Sequence, residues 1–319
     1  MGSMSISRLV ASYNELSKLD LRVLRVIEVL HRDHEYVPVR RIANYMGLEE
    51  ELVVKSISKM NKLKLLVRKG PDNVRLTFPA YDILAMHTMA KRGVINAISP
   101  TPLGVGKESD VYAADSPGGV KYALKFHRLG RVSFRNVRKY RVWIGERRHI
   151  TWLYEAKISA HMEYLALVKA YRAGIPVPRP KAVTRHLIAM EFINGVELYR
   201  FRLSNPRGVF EQVVSTIEGL MRINMVHGDL NEYNILIDPN NEEIRIIDWP
   251  QWMYLNVKGS RVILLRDLRN ITRYFNNNYN LNIDFDELVS KLSPLMPKVE
   301  YPPSKAYGKL IKRITSMIK

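Results

Sequence analysis

The sequence contains no cysteine, so it cannot form a disulfide framework or a thiolate metal site. It has no apolar run long enough for a membrane-spanning helix. Its first residues also lack the basic segment followed by an apolar segment that marks a signal peptide. These absences argue against a disulfide-stabilised secreted domain, and they predict a cytoplasmic protein with no membrane partner.

Acidic residues are scarce relative to basic ones. The 319 residues include 31 Asp and Glu against 50 Lys and Arg, which gives a formal net charge of +19. Such a charge favours polyanionic partners, nucleic acid above all, although it indicates no chemistry. The length and an apolar content of 46% predict more than one packed domain.

Residues 1–93 have the pattern of a winged helix with a linker helix. Val23, Val26, Ile27 and Leu30 follow the i, i+3, i+4, i+7 spacing of an amphipathic helix. A short helix ending at Gly47, a third helix in "LEEELVVKSISKMNKLK" and a hairpin turning at residues 70–73 come next. The helical segment "YDILAMHTMAKRGVI" then links this module to the rest of the chain.

Basic residues continue from the third of these helices into the hairpin. In a winged helix the third helix enters a nucleic-acid groove and the hairpin flanks it. The predicted nucleic-acid contacts here are Lys55, Lys59, Lys62, Lys64, Arg68, Lys69 and Arg75. The alternative is that these charges solvate a helix face and that the module docks a protein.

The segment after residue 94 predicts a phosphate-binding hairpin. Gly104 and Gly106 allow the backbone to approach an anion closely, and Lys107 and Ser109 add donors. Lys125 lies in the apolar strand "YALKF", where its charge needs an acidic or phosphate partner.

A long helix after this hairpin offers two acids, Glu155 and Glu163, to pair with Lys125. We favour Glu163, which lies nearer the apolar C-terminal half of the helix. The strand "HLIAMEFINGVEL" then runs into a turn at Asn194-Gly195. That strand and turn suit a hinge whose peptide groups bind an adenine ring.

Three side chains near two apolar runs predict Mg²⁺-dependent phosphoryl transfer. "MVHGDLNEYNILID" contains Asp229 and Asn234, and "IRIIDWPQW" contains Asp248. Such a reaction needs a carboxylate near the attacking oxygen and oxygen ligands for a hard cation. The Asp-x4-Asn spacing is that of a kinase catalytic loop. The structural alternative is a set of capping and turn residues around a hairpin.

These motifs carry a family resemblance. "GVGKESDVY", "YALKFHRLGRVSF", "HGDLNEYNILID" and "IIDWPQ" resemble the Rio atypical protein kinases, and the basic winged helix points to their second branch, in an archaeal form. The resemblance implies an α+β fold, with an N-terminal winged helix followed by a compact two-lobed kinase-like domain. The lobes would be residues 94–193, including a basic flexible loop at 127–150, and a reduced C-lobe at 194–319.

The resemblance also implies roles for single residues. Lys125 would bind the phosphates of ATP and pair with Glu163, while Asp229 would be the catalytic residue. Asn234 and Asp248 would bind Mg²⁺, or Mn²⁺ in its place, and Asp248 would accept a phosphoryl group. The remaining nucleotide contacts would be Gly104, Gly106, Lys107 and Ser109 in the phosphate loop, with Glu191 and Ile193 at the hinge.

The expected partners follow from the same resemblance. They are the RNA and proteins of the pre-ribosomal small subunit, and the expected state is a monomer that acts as a serine/threonine kinase or as an ATPase.

Departures from ordinary protein kinases weaken the case for a peptide substrate. Ser109 replaces the third glycine of G-x-G-x-x-G, and Gly228 replaces the arginine of H-R-D. Asp248-Trp-Pro replaces D-F-G, and Pro250 is expected to stiffen that segment. The sequence has no A-P-E triplet, and its C-lobe is short. ATP binding is therefore better supported than recognition of a protein substrate.

Residues 127–150 form a strongly basic segment with eight Arg or Lys and one acid, Glu146. Interleaved aromatic residues predict an RNA contact that orders on binding, through Arg135, Arg138 and Lys139. The alternative is a solvated loop. Ser133, within this segment, is a candidate autophosphorylation site.

Two other functions compete with this interpretation. "HGDLNEYNIL" with "IIDW" also resembles aminoglycoside and choline kinases, which phosphorylate small molecules. A nucleic-acid-binding regulator that senses ATP without turning it over would keep Lys125 and Asp248 as well.

Overall fold

The computed structural model describes residues 4–128 and 152–302, together with residues 305, 307, 308, 310 and 314. The chain divides into two compact units, Met1–Ala160 with Ala182–Ala189 and His161–Lys181 with Met190–Lys319. The predicted basic segment lies outside the described residues from position 129 onward. Among the described helices, none is long and apolar enough to cross a membrane.

The N-terminal module combines short helices with a small antiparallel sheet of strand order β1-β3-β2. Its elements are α1 (Ile6–Glu15), α2 (Lys18–Leu30), β1 (Val37–Pro38), α3 (Val39–Met46), α4 (Glu50–Lys62), β2 (Leu66–Arg68) and β3 (Asn73–Leu76). The predicted helix–helix–helix–hairpin order of a winged helix is confirmed, and α1 is an additional helix in front of it.

Local sequence explains the ends of these helices. Ser17 and Asp20 form a reciprocal capping box at the start of α2, in which each side chain accepts the other's backbone N–H. The helix α3 ends at Gly47, whose φ of 63° is left-handed and suits glycine. On α2, Val23 and Ile27 are fully buried as predicted, and Leu24 joins them in the core.

Helix α5 (Phe78–Lys91) leads from the winged helix into the five-stranded sheet that follows. Thr77 caps its N-terminus by accepting the N–H of Ala80, and Pro79 occupies a position where a helix tolerates proline. Helix α5 is buried along most of its length and belongs to the same apolar core as the winged helix.

A five-stranded sheet follows, with strand order β4-β5-β6-β8-β7. Its strands are β4 (Ala97–Val105), β5 (Ser109–Asp115), β6 (Lys121–His127), β7 (Pro180–Thr184) and β8 (Leu187–Glu191), and helix α6 (Trp152–Arg172) connects β6 to β7. Tyr112, Leu124 and Phe126 belong to the apolar core that also contains α5. Successive side chains along a strand point to opposite faces of the sheet. The residues next to Tyr112 on β5 and next to Leu124 and Phe126 on β6 therefore point away from this core.

The second unit contains a small antiparallel sheet of order β11-β10-β9 among helices. Its elements are β9 (Val196–Glu197), a 3₁₀ turn (Leu198–Arg200), α7 (Pro206–Arg222), β10 (Ile235–Ile237), β11 (Ile244–Ile246), α8 (Ser260–Tyr279), α9 (Phe285–Leu292) and a 3₁₀ turn (Ser293–Leu295). Helices α7 and α8 pack through Phe210 and Phe275, whose ring centroids are 5.4 Å apart. Residues 161–181, which we assigned to the N-lobe, belong to this unit.

Candidate active site

The predicted phosphate-binding residues of the first unit share one part of its sheet. Gly104 on β4 lies opposite Val111 on β5, and Val111 lies opposite Lys125 on β6. Ser109 pairs with His127 two residues further along. Residues directly opposite each other on antiparallel strands project to the same face, so Ser109 and Lys125 share the face turned away from the apolar core.

The loop between β4 and β5 is a tight turn. The N–H of Gly106 donates to the carbonyl oxygen of Ser109 at 2.8 Å, and a Cβ on Gly106 would lie 3.4 Å from that oxygen. Lys107 at the tip is exposed. The turn therefore presents a glycine backbone and a lysine to solvent, as an anion-binding loop requires.

Lys125 is buried, with only 4% of its surface exposed, although it carries a charge. A buried ammonium group needs an anionic or hydrogen-bonding partner. Its predicted partner Glu163 belongs to the other unit, and their pairing stays a prediction.

In the second unit, the side-chain amides of two asparagines stabilise the loop from Asp229 to Asn234. The carbonyl oxygen of Asp229 accepts the side-chain NH₂ of Asn231 at 2.9 Å and that of Asn234 at 2.8 Å. Because the amide nitrogen of Asn234 is used in this way, its amide oxygen is the atom left to ligate a cation. Gln251 donates to the Asp229 carboxylate at 3.4 Å.

Gly228 explains why this chain lacks the arginine of H-R-D. Its φ is 86°, in the left-handed region, and a Cβ there would collide with the carbonyl oxygen of Gln251. Helix α8 holds the glycine on both sides. Asp267 accepts the N–H of Gly228 at 2.8 Å, and Arg266 donates to its carbonyl oxygen. The backbone next to Asp229 is thus fixed by a helix instead of by a neighbouring arginine.

Asp267 is buried in α8, and burial raises its pKa to about 6, although the N–H groups of Gly228 and Leu230 and the guanidinium of Arg266 favour the charged form. Our sequence analysis missed both Asp267 and Arg266. The available signal was an acid and a base side by side within the apolar helix "VILLRDLRNITRYF".

His227 connects the catalytic loop to the segment that carries Asp248. One ring nitrogen bonds the carbonyl oxygen of Ile247 at 3.0 Å, and the other accepts the N–H of Asp229 at 3.3 Å, which assigns the proton to Nε2. The Ile247 N–H donates to the Asn234 carbonyl at 3.0 Å, and the His227 ring packs edge-on against Trp249 at 4.5 Å.

Asp248 has a φ of 67°, a left-handed conformation that costs a non-glycine residue about 1–2 kcal/mol. The following residue, Trp249, is fully buried. Its backbone N–H donates to Glu163 at 3.3 Å and its ring N–H donates to the carbonyl oxygen of Ile246 at 3.2 Å. Glu163 therefore contacts the segment that carries Asp248, a contact we did not predict.

The predicted hinge residues lie at the end of β8. Glu191 forms a reciprocal pair with Arg179, because its N–H donates to the Arg179 carbonyl at 2.8 Å and its carboxylate accepts the Arg179 N–H at 3.0 Å. Ile193 follows in a partly exposed turn. Their contact with adenine stays a prediction.

The predicted nucleic-acid residues of the winged helix differ in availability. Lys55, Lys62, Arg68 and Lys69 are exposed. Lys59 is instead bonded to Asp20 at 2.9 Å and to the Glu15 carbonyl, and Arg75 pairs with Glu35 at 3.2 Å. The remaining predicted residues, Arg135, Arg138 and Lys139, lie outside the described part of the chain, as does Ser133.

Comparison with known proteins adds two family matches. A model of the RIO domain matches residues 110–288, and a model of the Rio2 N-terminal region matches residues 13–92. The serine/threonine-protein kinase rio2 of Dictyostelium discoideum is 36% identical over 83% of this chain, which spans about half (51%) of that relative's length. The RIO-type serine/threonine-protein kinase Rio2 of Methanocaldococcus jannaschii is 34% identical over 76% of this chain and 91% of its own.

Solved structures give the same result. The Rio2 kinase–ADP/Mg²⁺–phosphoaspartate complex from Chaetomium thermophilum matches with a TM-score of 0.78 at 27% identity. The match covers 97% of this chain and 96% of that one.

Proposed function

We propose that this chain, which belongs to the Rio2 branch of the RIO family, transfers the terminal phosphoryl group of ATP in a Mg²⁺-dependent reaction. Membership confirms the predicted family and the predicted fold class, a winged helix followed by a kinase-like RIO domain. The related Chaetomium thermophilum complex contains ADP, Mg²⁺ and a phosphoaspartate, which supports ATP and Mg²⁺ as the ligands here.

The observation that carries the proposal is the geometry of the catalytic loop. Both Asn side chains donate to the Asp229 carbonyl, which leaves the Asn234 amide oxygen available, and His227 bonds this loop to the segment that contains Asp248. An amide oxygen and a carboxylate are donors suited to a hard cation, so Asn234 and Asp248 would hold Mg²⁺. The bound cation would neutralise charge on the phosphates.

The other residues would position the reactants. Gly106, Lys107 and Lys125 would bind the phosphates, and Asp229 would orient the attacking oxygen. In the ATPase form, a carboxylate oxygen of Asp248 attacks the γ-phosphorus while the bond to the bridging oxygen breaks, and ADP leaves. Water then hydrolyses the acyl phosphate to inorganic phosphate and restores the carboxylate.

The proposed partner is the precursor of the small ribosomal subunit, with its RNA and proteins. The net charge of +19 and the exposed Lys55, Lys62, Arg68 and Lys69 support a polyanionic partner. RNA binding by the winged helix should then weaken as salt rises, whereas binding that is independent of salt would indicate a protein partner.

A time course with γ-labelled ATP and Mg²⁺ tests the proposal. Wild type, Asp229→Ala and the exposed-acid control Glu243→Ala would be followed with and without the subunit precursor, measuring free phosphate and protein-bound label. We expect Asp229→Ala to bind ATP but to lose about 10²-fold or more in turnover, while Glu243→Ala keeps it. Label removed by hydroxylamine would indicate phosphoaspartate, whereas stable label would indicate a serine kinase. Unchanged turnover in Asp229→Ala would refute the assignment.

A further inference from the structure

Two tyrosines lie side by side on the surface of the second unit, next to the catalytic loop. Tyr199 belongs to the 3₁₀ turn after β9, and Tyr233 lies between Asp229 and Asn234. Their ring centroids are 4.5 Å apart with planes tilted by 47°. They are 39% and 56% exposed, so a large aromatic surface faces solvent beside the residues that would carry the reaction.

Arg200 adds a cation to this pair. Its guanidinium lies 5.0 Å from the centroid of the Tyr199 ring, and its Nε donates to the Tyr199 hydroxyl. Its ion pair with Glu197 is 3.4 Å long and exposed, which leaves it weak. We call Tyr199, Arg200 and Tyr233 the tyrosine platform.

Three hydrogen bonds, two of them from α8, hold the backbone around the platform. The Tyr274 hydroxyl of α8 donates to the Leu198 carbonyl at 3.0 Å, and Asn270 of α8 contacts the Leu230 carbonyl at 3.4 Å. The N–H of Tyr233 donates to the Asn231 side chain at 2.9 Å. The 3₁₀ turn, the catalytic loop and α8 therefore form one continuous surface.

Helix α8 adds positive charge beside the platform. Arg266, Arg269 and Arg273 follow i, i+3, i+7 spacing, and all three are exposed. Arg266 donates to the Gly228 carbonyl, which places this arginine stripe along the catalytic loop. Arg266 also pairs with the buried Asp267 at 3.3 Å, and the exposed Arg200 pairs weakly with Glu197, so Arg269 and Arg273 are the arginines of the stripe best placed to meet a phosphate.

We propose that the tyrosine platform and the arginine stripe bind single-stranded nucleic acid, with a base stacked on the tyrosines and phosphates on the arginines. An acidic peptide would also complement the positive charge, but its carboxylates have no planar aromatic group to stack on two adjacent exposed rings. The inference concerns the catalytic unit, not the winged helix. It does not depend on phosphoryl transfer, because binding is measured without ATP.

The test uses a fluorescein-labelled ten-nucleotide RNA and a matched strand in which every base is replaced by an abasic site. Both carry the same phosphates, so the ratio of their dissociation constants for the full chain isolates base stacking. Wild type should bind the base-bearing strand about tenfold more tightly. The double variant Tyr199→Leu, Tyr233→Leu should reduce the ratio to near one. The matched double variant to Phe should keep it, because the rings remain.

Replacing Arg269 and Arg273 by Ser should weaken both strands equally and make binding less sensitive to salt. A double Leu variant that folds and keeps the wild-type ratio would overturn the proposal, since the stacking would then lie elsewhere. Photocrosslinking of wild type to a 4-thiouridine strand gives an independent readout. Adducts on Tyr199 or Tyr233 are expected, and their absence would overturn the proposal even if the Leu variant does not fold. Equal competition by an acidic peptide with no base preference would point to a protein partner instead.

Discussion

Asp82 in the first unit and Asp267 in the second are both buried aspartates, yet their surroundings act in opposite directions. Burial alone would raise the pKa of Asp82, but the guanidinium of Arg128 and a hydrogen bond from His186 outweigh it and lower that pKa. The pKa of Asp267 is instead raised to about 6, because burial outweighs the peptide N–H groups and the Arg266 guanidinium that favour its charged form. Asp82, which pairs with a full positive charge, is suited to a permanent structural connection. Asp267, which accepts a hydrogen bond from the catalytic loop, has a pKa much closer to neutral pH.

The Asp82 cluster joins four elements of the first unit. Arg128 follows β6 and bonds Asp82 on α5 and Asp110 on β5, while His186 precedes β8. All four side chains are buried. The cluster therefore fixes the linker helix of the winged helix to the sheet that carries Lys125.

The largest expected effect comes from breaking that cluster. Arg128→Met would leave two buried carboxylates without their main counter-charge and should lower the unfolding free energy by about 3–5 kcal/mol. Arg25→Met, which removes a half-exposed arginine paired with Glu28, is the matched control and should cost less than about 1 kcal/mol. Hydrogen exchange of α5 amides would measure both. Equal costs would mean that burial of the cluster contributes nothing.

The second prediction concerns acid. Asp267 has a folded pKa of about 6 against an ordinary value of 3.8, so between these values the folded state holds a proton that the unfolded state has released. Protonation of Asp267 therefore adds to the free energy of unfolding at low pH. This contribution, about 3 kcal/mol in total, is lost as pH rises from about 4 to 6. Asp82, with a lowered pKa, contributes stability that is lost as pH falls through its folded value.

Urea unfolding from pH 3 to 7, followed by the fluorescence of buried tryptophans such as Trp249, would test this difference. Subtracting the curve of Asp267→Asn from that of wild type should give a slope confined to pH 4–6. The Asp82→Asn difference should have the opposite sign and lie below pH 4. Matching signs for the two variants would contradict the contrast between the two carboxylates.

The third prediction concerns Gly228, whose N–H Asp267 accepts. Gly228 and Gly259 have nearly equal φ values of 86° and 88°, but only at Gly228 would a Cβ collide with backbone, whereas the space around Gly259 is open. Gly259→Ala should cost about 1–2 kcal/mol of left-handed strain. Gly228→Ala should cost about 1–3 kcal/mol more and reduce ATP turnover about 10²-fold by displacing Asp229. Similar turnover in the two variants would show that the loop tolerates the displacement.

The sequence was sufficient for structural features that depend on residues close together in the chain. The Asp229–Asn234 spacing, the Gly106 turn and the order of helices in the winged helix are all local patterns. It was insufficient where partners are distant, since Asp267 lies 39 positions after Gly228 and Arg128 lies 46 after Asp82. Lys59 shows the same limit, because its predicted nucleic-acid role gave no hint of the bond to Asp20.

The hydrogen bonds from α8 to the backbone of Gly228 affect how the enzyme can be regulated. A loop organised by an arginine side chain can be switched by a phosphate that attracts or releases that arginine. At Gly228 the backbone has no space for any side chain, and the Asp267 and Arg266 contacts form as part of folding. The catalytic loop therefore reaches its final structure during folding, without a regulatory phosphate. A regulator would instead change which ligand binds the surface around Tyr233 and how long that ligand stays bound.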